Sequence, residues 1–116
     1  MINSVDDSIA DYVGGLQADF NQVTIRHLLT MTAGFSNTDE KLFGVVPSPW
    51  SDEVKAYYDP NCRKLATTFS LDHAAGQRFE YHDFSPILIG MMLENVTGTT
   101  LSEYLSAKVW QPAGMQ

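Results

Sequence analysis

The sequence predicts a mainly α unit: five or six short helices joined by structured loops, with almost no strand. Two observations carry that expectation. Apolar residues recur at helical spacing in one segment after another. Capping residues stand ahead of those segments, and Gly or Pro stands behind them. The composition allows a packed core, because 44% of residues are hydrophobic, 18% are charged, and aromatics are spread along the chain. That balance separates it from disordered sequences.

The elements follow in order. Val5, Ile9, Tyr12, Val13 and Leu16 have helical spacing, and Asp6 and Asp7 suit a first turn. Gly14-Gly15 cuts this short, so a short helix and then a loop are expected over 1–20. Thr24 caps a helix over 24–33, with Ile25, Leu28, Leu29 and Thr32 on one face and Gly34 at its left-handed end. Residues 35–50 read as a loop closed by Trp50, which anchors it to the core. Ser51 caps a helix through Tyr58. Asp59-Pro60 opens the next, which runs to about Phe69. A turn spans Asp72 to Gly76, and Arg78 to Tyr81 reads as extended. Ser85-Pro86 starts a helix that is apolar nearly all round, through Ile87, Leu88, Met91, Met92, Leu93 and Val96, and Gly98 ends it. Thr100 and Glu103 form a capping box for the last helix, whose apolar face is Leu101, Tyr104, Leu105 and Val109. Trp110 and Met115 read as packing residues of a C-terminal anchor.

Bulk properties exclude several functions. A net charge of −7 argues against nucleic acid and anionic membrane surfaces, which need clustered Lys and Arg. The single cysteine, Cys62, allows no internal disulfide and no multi-cysteine metal site, and reads as a half-buried structural thiol. No apolar run approaches the roughly 20 residues that span a bilayer. Met1 is not followed by the pattern of a signal peptide. His27 is expected to hydrogen-bond at the edge of the core, and His73 to be solvated in its turn. His-Glu-x-x-His, P-loop and dinucleotide-binding glycine patterns are absent.

Four segments carry a family resemblance. Val23-Thr24-Ile25-Arg26-His27-Leu28-Leu29-Thr30-Met31-Thr32-Ala33-Gly34-Phe35 resembles the "ITIRHLLTHTSGL" signature of class C β-lactamase-like serine hydrolases, a group that includes esterases, D-aminopeptidases and DD-peptidases. Ala75 to Tyr81 is similar to that group's "PPGTRFxYS" segment. Leu88 to Gly98 resembles "LLGxIIExVTG", and Leu105 to Met115 its "IWxPLGM" ending. Order and spacing fit in all four. By this resemblance the chain, 1–116, is a single partial domain, the helical subdomain of the α+β β-lactamase/transpeptidase-like fold with its sheet half absent.

The resemblance also implies a chemistry. The family's nucleophile is the serine of a Ser-x-x-Lys motif. A tyrosine beside it takes the serine proton and later protonates the leaving group. Tyr81 falls on that catalytic position, with His82 and Asp83 on the substrate side. A free phenol, with a pKa of about 10, is a poor base at neutral pH and needs a neighbouring cation. The third residue of the triplet is usually Asn or Ser, whereas here it is Asp83, which accepts hydrogen bonds but does not donate them when ionised. No Ser-x-x-Lys and no Lys-Thr-Gly-like triplet occurs in the 116 residues.

The resulting expectation is a fragment of a serine hydrolase, inactive alone, that acts on a small-molecule amide or ester through an acyl-serine intermediate. No cofactor and no metal are implied. The alternative is a non-catalytic helical binding or scaffolding module. In either case apolar surface made by residues such as Leu88, Met91 and Met92 is expected to be exposed and to favour self-association. The compartment stays open, since the family has periplasmic, secreted and cytoplasmic members.

Overall fold

In a computed structural model of the chain, residues 1–36, 41–42, 46–47 and 51–115 are described. The N-terminal region forms single turns of 3₁₀-helix rather than the expected short α-helix. Ser8 caps the first, Ile9–Asp11, by accepting a hydrogen bond from the Ala10 amide at 3.2 Å. The second is Ala18–Gln22. Gly15, at φ 82°, breaks the run between them. Ile9, Val13 and Phe20 are nevertheless buried.

Helix α1 spans Ile25–Leu29. Thr24 Oγ1 accepts from the His27 amide, and His27 Nδ1 accepts from the Thr24 amide, both at 3.2 Å. This reciprocal cap occupies His27 at the core's edge, as its sequence position suggests. The helix stops well before the expected residue 33. Thr30 Oγ1 donates to the Arg26 carbonyl at 2.8 Å, and Met31 takes a left-handed φ of 54°. Met31, and not Gly34, therefore turns the chain out of the helix.

Helix α2, Asp52–Tyr58, has Ser51 as its cap, with Ser51 Oγ accepting from the Val54 amide at 3.4 Å. Helix α3 is Cys62–Ala66, shorter and later than expected. Asp59 Oδ1 accepts from the Asn61 amide at 2.7 Å, which makes a turn of Asp59-Pro60-Asn61. Asn61 then caps α3 by accepting from the Lys64 amide at 3.3 Å. The Thr67 and Thr68 hydroxyls bond back to the Lys64 and Leu65 carbonyls and close the helix before Phe69. A short antiparallel pair, β1 (Lys41–Leu42) and β2 (Val46–Pro47), lies ahead of α2. The expected anchoring by Trp50 lies outside the described residues.

Helix α4, Phe84–Thr97, is the centre of the unit and packs against α1, α3 and α5. It begins one residue earlier than the sequence suggests and ends at Gly98, φ 69°. Helix α5, Leu101–Leu105, has the predicted Thr100–Glu103 capping box and continues into a π-helical turn, Ser106–Trp110. Glu94 joins three helices. Its carboxylate accepts from the Arg63 guanidinium on α3 and from the Leu101 amide at 2.8 Å.

The core gathers Ile9, Phe20, Val23, Leu28, Phe35, Phe69, Phe84, Leu88 and Met92. Leu88 and Met92 are thus covered by the chain's own N-terminal half, and Met91 is half-buried. That corrects the expected exposed patch. Among the exposed apolar side chains, five lie together near the C-terminus: Leu101, Leu105, Val109, Trp110 and Met115. Trp110 and Met115 are consequently not packed as an anchor. Among the described residues no helix is long and apolar enough to cross a membrane.

Candidate active site

Tyr81 is positioned by a pairing of two segments far apart in sequence. Residues 31–36 run antiparallel to residues 70–80. The Ser36 amide donates to the Ser70 carbonyl at 2.9 Å, Asp72 to Gly34 at 2.9 Å, Gly76 to Thr32 at 2.8 Å, and Glu80 to Met31 at 2.8 Å. Two glycines permit the close approach. A Cβ on Gly34 would lie 2.5 Å from the His73 carbonyl oxygen, and one on Gly76 would lie 3.2 Å from His27 Nε2. Both glycines also have positive φ.

Side chains reinforce the same corner. His73 Nε2 lies 2.7 Å from Glu80 Oε2, and an Arg78 guanidinium nitrogen lies 2.7 Å from Glu80 Oε1. His73 Nδ1 meets the Ala74 carbonyl at 3.1 Å. The pairing with Glu80 raises the His73 pKa above its ordinary value, and the bond from His73 holds the Glu80 carboxyl below its own. His73 is therefore a half-buried member of a charged cluster, not a solvated turn residue. Sequence reading missed this cluster, since nothing in a His and a Glu seven positions apart marks them as partners.

The triplet Tyr81-His82-Asp83 divides between two environments. Tyr81 is 67% exposed, while His82 is 7% exposed. The His82 ring stacks on Phe35 with centroids 4.5 Å apart and meets Phe69 edge-on at 5.4 Å. His82 Nδ1 accepts from the Phe84 amide at 3.3 Å. It thereby takes an amide at the start of α4. Asp83, which occupies the N-cap position of that helix, makes no capping bond with its side chain. Its carboxylate instead lies beside the Tyr81 hydroxyl and raises the Tyr81 pKa above its usual value. The phenol of Tyr57, on α2, adds a smaller push in the same direction. The structure thus brings Tyr81 and Asp83 together at the mouth of α4 and turns His82 inward beneath them. Among the described residues no group of three or more His, Cys, Asp and Glu side chains could hold a metal ion.

An exposed tyrosine and a neighbouring carboxylate thus stand at the mouth of a buried central helix, on a corner held by backbone pairing. A family model described as Beta-lactamase matches residues 3–116, and the chain belongs to that family. The match relates it to serine hydrolases. The helical unit is compatible with the helical part of such a fold.

Proposed function

We propose that this chain supplies the tyrosine side of the active site of a serine hydrolase that cleaves an amide or ester bond through an acyl-serine intermediate. β-Lactams, esters and D-amino-acid peptides are the substrate classes. The observation that carries this reading is the placement of Tyr81, exposed on a corner fixed by the Glu80–Met31 bond, in a chain matched over 3–116. Tyr81 would relay the proton between the nucleophile and the leaving group. Asp83 would sit at the substrate's edge, and His82 would support the pair from beneath. The serine and the activating lysine would come from residues other than these, since none of the 116 has that spacing. The lysine is required because Asp83 biases Tyr81 towards the neutral phenol, and only a nearby cation would reverse that bias. Alone, the chain would turn over no substrate. In a protein that joins it to a Ser-x-x-Lys segment, Tyr81→Phe should lower kcat/KM by about 10²–10⁴. Turnover equal to the parent would remove the assignment.

One observation favours a second reading, a non-catalytic helical binding or scaffolding module. The effect of Asp83, which favours the neutral Tyr81 phenol, is opposite to what a general base requires. Self-association through the exposed Leu101, Leu105, Val109 and Trp110 would instead mark a truncated piece of a larger fold. A monomeric chain with one cooperative melting transition supports the module, and concentration-dependent aggregation counts against it.

A further inference from the structure

We propose that His73 is a positioning residue for Tyr81, acting through Glu80 to set where the Tyr81–Asp83 pair stands. The inference rests on the reading of Tyr81 as the proton-relay residue. Glu80 is the last residue before Tyr81, one peptide unit away, or about 3.8 Å between Cα atoms. It is held at three points. Its amide donates to the Met31 carbonyl at 2.8 Å. Its two carboxylate oxygens are taken by His73 and Arg78, each at 2.7 Å. Few rotations remain to its backbone that keep all three contacts. The direction in which Tyr81 leaves the corner is fixed accordingly.

The two cations differ in kind. Arg78 stays charged at any pH the protein meets, whereas His73 changes charge near neutrality. The His73 ring is itself fixed, by its contact with the Ala74 carbonyl and by the absence of a Cβ on Gly34. Both ring nitrogens donate, to Glu80 and to Ala74, only when the ring carries two protons. When Nε2 loses its proton to solvent it accepts instead from Arg78 Nε, 3.1 Å away, Nδ1 keeps its bond to Ala74, and Glu80 keeps Arg78 alone. The other charged and titratable groups around His73 are Asp72 beside it, Asp19 of the Ala18–Gln22 turn across a shared cleft, and His27 of α1 beneath Gly76. Glu80 is the first cause of the raised His73 pKa, and Arg78 opposes it. The folded pKa is raised, so the clamp is complete at low pH and loosens as pH rises through that value.

The test is an NMR titration of the 116-residue chain with isotope-labelled His and Tyr side chains, over about pH 5–9, the range a histidine charge crosses. The His73 and Tyr81 ring resonances should move with one shared midpoint, above the ordinary histidine value of about 6.5. Removal of the opposing charge in Arg78→Gln should shift both midpoints upward together. Arg78 is exposed, so that variant is expected to retain the fold. His73→Gln still offers Glu80 a donor but does not titrate, and should abolish the Tyr81 step. A Tyr81 resonance that stays flat while His73 titrates would overturn the proposal. So would a Tyr81 midpoint that stays put when Arg78→Gln moves that of His73. Failure of the proposed function is separate. Coupled resonances with full turnover in Tyr81→Phe would keep the positioning role and discard catalysis, while uncoupled resonances with lost turnover would do the reverse.

Discussion

The Asp83 carboxylate beside Tyr81 raises the pKa of that phenol above its ordinary value. Its removal is informative. Asp83→Asn eliminates the charged acceptor, so the Tyr81 pKa should fall towards the ordinary tyrosine value of about 10. The change is readable as an earlier rise of tyrosinate absorbance in an alkaline titration, and an unchanged midpoint would show that another group controls the phenol. Gly34 offers a second test at this scale. Its φ is 84°, and an added Cβ would lie 2.5 Å from the His73 carbonyl. Gly34→Ala should destabilise the fold by more than about 1 kcal/mol in a denaturant titration, since the backbone conformation and the space both oppose it. The proximity of Tyr81 and Asp83 at the start of α4 follows from their local spacing in the sequence. The inward turn of His82 does not, because it depends on rings of Phe35 and Phe69, which lie far from it along the chain.

Helices here are bounded by caps, and the caps decide which boundaries a sequence reveals. Ser51, Thr100 with Glu103, and Gly98 act as the local pattern says. Thr24 does too, with His27 as its reciprocal partner. The missed ends share one feature. In both α1 and α3 a threonine hydroxyl bonds back to a carbonyl of the last turn, Thr30 to Arg26 and Thr67 to Lys64, and beyond α1 the Met31 carbonyl is taken by Glu80 from the other half of the chain. Propensity alone does not foresee a distant partner. Glu94 shows what joins the elements once formed. Arg63 first, then the Leu101 amide, hold its carboxyl at a pKa of about 2, well below 4.5. A lowered folded-state pKa gives stability that is present above about 4.5 and lost as pH falls towards 2. The parent chain should therefore lose melting temperature over that interval more steeply than Glu94→Gln, in thermal scans at matched ionic strength. Parallel curves would mean that the α3–α4–α5 junction owes little to this charge.

At the scale of the whole molecule, the helical architecture and the family were legible from the spacing of apolar residues and from four recognisable segments. The charged corner behind Tyr81 was not, since it exists only after residues 31–36 and 70–80 meet. The exposed apolar surface was placed on the wrong helix for a related reason. Nothing local says that Leu88 and Met92 share one core with Phe20, Val23 and Leu28 from the first third of the chain. The aromatic cluster shows how far that reach extends. It takes Phe20 and Phe35 from before residue 37, and Phe69, His82 and Phe84 from after residue 50. Backbone continuity through 37–50 is therefore not what holds these rings against one another. Residues 1–36 and 51–115, made as two separate peptides, should recognise each other and gain helical circular dichroism on mixing, each serving as the template on which the other completes its fold.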